Sequence, residues 1–273
     1  MIAALNTDLA GFVELHQSGA VLEIRMVKPP VNAICRRMSR ALERAALYFQ
    51  DNVDLRVAIL SSGSDRAFSA GMDFREATET PDADRDPGAA EGGFGGITTL
   101  WRLKKPLIAA INAPAVGGGV ELALACDLLL MAESAYLQLP ELERGLLPDG
   151  GGLQRLPRRI PYHVATAMIW TGERMSASDA MRWGLVYRTV AAADLLPEAM
   201  ALAQRIARAA PLAQQALKET LRAVDSLPDR QAMAIRPVSG PELEIYGRML
   251  RSADMIEGQR AFLEHRAPRW SGQ

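Results

Sequence analysis

The 273-residue chain is predicted to adopt an α/β fold. In its first half, short runs of Val, Ile and Leu alternate with a segment of helical period. After Pro161 the periodicity becomes helical throughout. No apolar run reaches the roughly 18 residues that a membrane span needs, so these runs are expected to serve the core of a soluble protein.

The elements follow in order. Val21–Val27 and Arg56–Ser62 are rich in branched aliphatic residues and read as strands. Between them Met38, Ala41, Leu42, Ala45, Ala46 and Phe49 fall on one face of a helix. Leu107–Asn112 is a third strand, opened by Pro106 and closed by Pro114. Val120–Cys126 reads as a buried helix, and Leu128–Met131 and Tyr136–Leu139 as short strands. Thr78–Gly96, rich in Asp, Pro and Gly, breaks the rhythm; a loop of that length is either a surface insertion or a lid over a site. A helix over Ile97–Leu103 is expected to follow it and to shape a pocket with it. Helical segments are then expected at Tyr162–Trp170, Ser176–Trp183, Leu195–Ala209 and Pro211–Val224, with Pro211 starting the last of them. The composition shift near residue 190 suggests a core followed by a helical appendage.

Composition excludes several classes. With 31 Lys and Arg against 32 Asp and Glu, the chain lacks the basic excess of a dedicated nucleic-acid binder. Cys35 and Cys126 cannot make a disulfide framework, so a reducing cytoplasm is expected. The start of the chain has no basic stretch ahead of an apolar one and does not read as a signal peptide. His16, His163 and His265 lie far apart in no ligand-like spacing, so no metal site is expected. No Gly-x-Ser-x-Gly elbow surrounds a serine.

The chemistry concentrates in two turns and three carboxylates. Pro114-Ala115-Val116-Gly117-Gly118-Gly119-Val120-Glu121 follows a strand and opens a helix. It has neither the Lys-Ser/Thr of a phosphate loop nor the spacing of a dinucleotide fold. Its glycines let a ligand approach the backbone, or make a tight structural turn. Ala67-Phe68-Ser69-Ala70-Gly71-Met72-Asp73 follows the second strand. If the two turns face each other, the N–H groups of Met72 and Gly118 converge on one oxygen and form an oxyanion hole. Glu121 sits in the first turn of the helix, Glu141 follows Pro140, and Asp149 precedes Gly150-Gly151-Gly152. Taken singly, these are also ordinary positions for a helix-start or loop carboxylate. Beside an oxyanion hole, a pair of them is what reversible proton transfer next to a carbonyl requires.

In this order and spacing, the Phe68–Asp73 turn, the Gly117–Glu121 loop and Pro140-Glu141 resemble the crotonase (enoyl-CoA hydratase/isomerase) superfamily. The likeness runs from the Val21 strand to Ala267-Pro268-Arg269-Trp270. Within it the chain resembles the carnitinyl-CoA dehydratase branch, through Pro81-Asp82-Ala83-Asp84, Gly92-Gly93-Phe94, Glu121-Leu122-Ala123-Leu124-Ala125, Leu139-Pro140-Glu141, Pro148-Asp149, Arg182-Trp183-Gly184 and Ile256-Glu257-Gly258. Met72 departs from the Trp expected there in that branch. The resemblance implies a spiral of ββα units over residues 1–195 and a helical oligomerisation region over 196–273, assembled as a homotrimer or dimer of trimers. It implies an acyl-CoA thioester substrate, with coenzyme A as part of the substrate and no separate cofactor, no nucleic acid and no membrane. Met72 and Gly118 would hold the thioester oxygen, while Glu121 handles water at the β-carbon and Glu141 the proton at the α-carbon. Ala70, Met72, Asp73, Arg75 and Gly118 fall on CoA-binding positions. Arg25, Lys28 and Arg66 adjoin the adenine pocket, and Arg155, Arg158 and Arg159 would face phosphates of a neighbouring subunit or cap a helix. Trp170, Trp183 and Trp270 are expected in the core or at a subunit interface. Two other functions stay open at this point: enoyl- or dienoyl-CoA isomerisation through Asp149, and an RNA- or protein-binding homologue without catalysis.

Overall fold

The computed structural model describes residues 2–79, 91–235 and 243–273. Pro81-Asp82-Ala83-Asp84 and most of the long loop lie outside the described residues. The described strands are β1 (Val13–Ser18), β2 (Val21–Met26), β3 (Val57–Ser62), β4 (Leu107–Ile111), β5 (Ala115–Val116), β6 (Leu128–Ala132), β7 (Tyr136–Gln138), β8 (Met175–Ser176) and β9 (Arg188–Val190). The helices are α1 (Ile2–Asp8), α2 (Arg36–Asp51), α3 (Phe74–Glu79), α4 (Gly118–Leu124), α5 (Gly152–Arg159), α6 (Tyr162–Thr171), α7 (Ala177–Arg182), α8 (Leu195–Ala207), α9 (Pro211–Val224), α10 (Asp229–Ala234), α11 (Glu244–Leu250) and α12 (Ala253–Leu263).

Six strands form the main sheet in the order β1-β2-β3-β4-β6-β9; β1 is antiparallel to β2 and the rest are parallel. The six apolar residues that predicted a helical face on α2 are all buried. That helix packs on β1 and β2, while α8 packs on β2, β3, β4 and β6. Every residue of β4 and all but the last of β3 are therefore buried, as expected of parallel strands covered on both faces. A small second sheet, β5-β7-β8, lies beyond the ends of the parallel strands.

That second sheet brings the two glycine turns together. Phe68 N–H donates to the Pro114 carbonyl and Val116 N–H to the Ser69 carbonyl, both at 3.0 Å. Asn32, fully buried and in the left-handed region at φ 49°, bolts the first turn in place. Its amide nitrogen donates to Ser62 Oγ at 2.8 Å and to the Phe68 carbonyl at 3.0 Å, and its side-chain oxygen accepts from Lys28 N–H at 2.9 Å.

The structure corrects three expectations. Ile97–Leu103 is a series of turns rather than a helix. The chain bends at Gly93, Gly95 and Gly96, which have φ of 65°, 63° and 70°, and the hydroxyls of Thr98 and Thr99 bond back to the Phe94 and Glu91 carbonyls. Such local bonds compete with the helical ladder. The segment after Pro161 is not purely helical, because β9 extends the main sheet beside β6. Nor does α8 lie apart from the core: Leu195, Ala199, Ala203 and Ala207 are buried in it. The sequence reading also missed β1, whose run VELHQS holds two apolar residues and buries only those two. Among the described residues no helix is long and apolar enough to cross a membrane.

Candidate active site

Three glycines open the site, each for a separate reason. Gly117 has φ 55°, and a Cβ there would lie 2.9 Å from Glu141 Oε1. A Cβ on Gly118 would collide with the Phe94 ring, and one on Gly119 with the Ser69 carbonyl. Across the gap Gly71, at φ 79°, leaves no room for a side chain either: its Cβ would sit 2.8 Å from the Gly118 nitrogen. The run is thus more than a tight turn, since it lets two stretches of backbone touch.

That contact sets the two predicted donors side by side. Gly71 O accepts from Ile34 N–H at 2.7 Å and Asp73 N–H donates to Ile34 O at 2.9 Å, so the Met72 N–H points the other way. Neither Met72 N–H nor Gly118 N–H has a hydrogen-bond partner among the described residues. The Ala70 carbonyl likewise accepts no bond among them. Two unused amides on adjoining backbones can hold one developing oxyanion.

The glutamates converge on the same place. Glu121 is 5% exposed; Gly152 N–H donates to its Oε1 at 2.9 Å, and Gly150 packs against its Oε2. Burial pushes its pKa up to about 7; the Gly152 bond opposes this, while the charges of Glu141 and Asp149 add to it. Glu141 borders Gly117, and its Oε2 is buried without a partner among the described residues. Burial raises its pKa too, against the attraction of Arg144 and with a push from Asp149. Asp149 itself is exposed at the mouth, near enough for its charge to reach both glutamates.

Burying Glu121 carries a testable cost. Its folded pKa lies above the unfolded value of 4.5. No penalty exists below pH 4.5, and the full penalty of roughly 3 kcal/mol applies above pH 7, where both states are ionised. Glu121→Gln is therefore expected to melt several degrees higher than the parent at pH 8. The gain should fade toward pH 5, as differential scanning calorimetry across that range will check.

Other predicted residues are placed differently. Asp73 forms an ion pair with Lys28, whose ammonium also reaches the Ala33 carbonyl at 2.8 Å. That bond, ahead of all other causes, holds the Asp73 carboxyl below its usual range. Lys28 is thus neutralised within the chain, whereas Arg66 and Arg75 are exposed with no side-chain partner among the described residues. Arg25 borders a separate cavity with His16, Glu23, Ser61 and Leu195. Nor do the three arginines of α5 face outward together. Arg155 donates to the Thr98 carbonyl, Arg158 pairs with Asp225 at 3.2 Å, and Arg159 donates to the Cys126 carbonyl at 3.3 Å. Trp183 packs at the margin of the core, the Trp270 indole donates to the Arg208 carbonyl at 2.6 Å, and Trp170 is 74% exposed.

Two contributions were not foreseen. Phe94 closes over Gly118, and the Gly92–Gly96 turn that carries it is fastened to α2: Gly92 N–H donates to Glu43 Oε1 at 2.8 Å and Gly95 N–H to Ser39 Oγ at 3.1 Å. The Gly150–Gly152 turn seats Glu121. Glycine runs mark both stretches in the sequence, but nothing local shows what each run faces.

The enoyl-CoA hydratase/isomerase family model matches residues 16–273. The chain belongs to this family. A carnitinyl-CoA dehydratase from Salmonella typhi is 44% identical over 263 residues, covering 96% of this chain and 98% of its own length. Among solved structures, an enoyl-CoA hydratase from Mycobacterium tuberculosis H37Rv superposes with a TM-score of 0.85 at 35% identity, covering 96% of this chain and 99% of that one. An enoyl-CoA hydratase from Bacillus anthracis gives 0.84 at 30% identity, over 96% and 99%. The crotonase-type fold expected from the motifs is the fold of these neighbours.

Proposed function

We propose that this family member is a hydro-lyase that adds water to, and removes it from, a 2-enoyl-CoA thioester. The observation that carries this reading is the meeting of two unused backbone amides with two buried glutamates. In hydration, Glu121 takes a proton from water as its oxygen bonds to the β-carbon. Negative charge gathers on the thioester oxygen, held by Met72 and Gly118 N–H, and Glu141 delivers a proton to the α-carbon. Dehydration reverses each transfer: Glu141 takes the α-proton, and Glu121 protonates the departing hydroxyl. The pair carries one proton in either direction, and burial, which raises both carboxyls, favours keeping that proton on the pair. The form with the proton on Glu121 is the one ready for dehydration. The addition is redox-neutral, so coenzyme A enters as part of the substrate and no electron carrier is called for. Ala70 O and the exposed guanidinium groups of Arg66 and Arg75 are the groups offered to the CoA moiety; Asp73, engaged by Lys28, shapes the turn between them.

The substrate we favour is carnitinyl-CoA, with crotonobetainyl-CoA as its dehydrated partner. The groups we assign to its trimethylammonium end are the Phe94 ring, which packs on Gly118, and the exposed carboxylate of Asp149, whose charge reaches both glutamates. These groups answer the absence of a tryptophan at Met72. The chain is proposed to close into a homotrimer or dimer of trimers, which would cover Tyr162, Trp170, Leu217, Leu221, Phe262 and Leu263, all strongly exposed in one copy.

The test is loss of enoyl-thioester absorbance with crotonobetainyl-CoA and, separately, crotonyl-CoA. Efficient turnover of the betaine and weak turnover of crotonyl-CoA is the expected result. Good turnover of crotonyl-CoA alone would overturn the betaine assignment and leave a broader hydratase. Silence on both in a folded protein would overturn hydration and favour isomerisation through Asp149.

A further inference from the structure

The site described above has a wall, formed by Phe94, and a proton-transfer group, Glu121, on two separate stretches of chain. Arg155 links the stretch that carries Phe94 to the turn that seats Glu121. Arg155 lies in the first turn of α5, directly behind the Gly150–Gly152 turn whose amide holds Glu121. Its guanidinium crosses to the other stretch and donates to the Thr98 carbonyl. On the way it fills the space where a Cβ on Gly151 would stand, and its head lies 6.0 Å from the Trp101 ring centre. Thr98, buried to 1% exposure, passes the connection on: its hydroxyl donates to the Phe94 carbonyl at 2.8 Å. The Phe94 ring then covers Gly118. From Glu121 through Gly152, Arg155, Thr98 and Phe94 to Gly118, the contacts close a ring around the reacting centre.

Packing alone is a poor reason for this arrangement. A guanidinium has five donors, and the bond to Thr98 uses few of them. Burial works against its charge, as do Arg159 and Arg222 nearby; attraction to Glu121 is one of the few compensations. An apolar side chain of the same length would fill the gap without that cost. What it would lose is the link between the two stretches.

We propose that Arg155 is a positioning residue that locks the acyl-slot wall, Gly92–Trp101, to the Gly150–Gly152 turn that seats Glu121, so that the fit of the acyl group against Phe94 sets the alignment of Glu121 with the β-carbon. The proposal rests on the hydratase reading for its kinetic arm and on the geometry alone for its structural one. A displacement near 1 Å in such an alignment costs on the order of 100-fold in rate.

The experiment compares the full-length parent with Arg155→Met and Arg155→Lys. Hydrogen exchange read by mass spectrometry is expected to quicken in Arg155→Met at both 98–103 and 150–152, with other core peptides unchanged. Arg155→Lys, which can still reach the Thr98 carbonyl, should restore protection at both. With the parent's preferred enoyl-CoA, kcat should fall about 10- to 100-fold in Arg155→Met. KM should change little, selectivity between short and longer acyl chains should narrow, and Arg155→Lys should recover most of the loss. Faster exchange at one stretch only, or a lower melting temperature with kcat and selectivity intact, would overturn the proposal. A parent inactive on every enoyl-CoA would sink the hydratase reading instead, and the exchange data would then decide the coupling by themselves. If Arg155→Met does not fold, Arg155→Gln, too short to reach the Thr98 carbonyl, takes its place: quickened exchange at both stretches with a lower kcat supports the link, and values equal to the parent's refute it.

Discussion

In Glu141→Gln, hydration of the preferred enoyl-CoA is expected to fall by a factor on the order of 100 to 10,000, with the fold kept. The substitution changes almost no volume and removes the carboxyl proposed above to exchange a proton at the α-carbon. Its Oε2 has no partner among the described residues, so no network is broken by the change. The assay that isolates this role is deuterium exchange into the α-position of a saturated acyl-CoA in heavy water, which needs no water addition. Exchange should vanish in Glu141→Gln and persist in Glu121→Gln, although both variants lose hydration. Persistent exchange in Glu141→Gln would move the α-proton to another base, for which Asp149, whose charge reaches Glu141, is a candidate.

Gly118→Ala is the second large effect. Its φ is outside the left-handed region, so alanine meets no backbone strain there. The obstacle is the Phe94 ring, which the new methyl would strike at Cε1 and Cζ. Because Glu43 and Ser39 fasten the backbone of the loop that carries Phe94, the ring can yield only by turning about its own side-chain bonds, and what it does not yield is expected to move the start of α4, and with it the Gly118 N–H. Misaiming one oxyanion donor costs roughly 100- to 1,000-fold in kcat. The double variant Gly118→Ala/Phe94→Ala removes the collision and is expected to recover most of that loss, to the level of Phe94→Ala alone. Strictly additive losses in the double-mutant cycle would show that ring and donor do not meet.

The elements that could be read along the chain are those whose period or length speaks locally. The buried face of α2 appears as Met38, Ala41, Leu42, Ala45, Ala46 and Phe49, and the uninterrupted apolar run of β4 reports cover on both faces. Those that could not be read depend on partners remote in sequence. β1 holds only two inward residues and is a strand because β2 lies beside it. Ile97–Leu103 is expected as a helix, yet its threonines bond backward to carbonyls of a glycine turn that α2 holds.

The site divides in the same way. The sequence by itself determined the chemical groups: two turns stripped of side chains and three carboxylates, Glu121, Glu141 and Asp149, in an order that named the family. It also showed that glycines were needed. Which neighbour each one makes room for is a tertiary matter: Phe94 for Gly118, the Ser69 carbonyl for Gly119, Glu141 for Gly117. The tertiary structure alone decided that the Met72 and Gly118 amides lie side by side, that Asp73 is spent on Lys28, and that Arg155 turns inward to Thr98. The physical reason is that burial, hydrogen bonding and the field at a carboxylate come from atoms brought close by folding. A residue's type sets what it can do, and its surroundings set its charge, its aim and its partner.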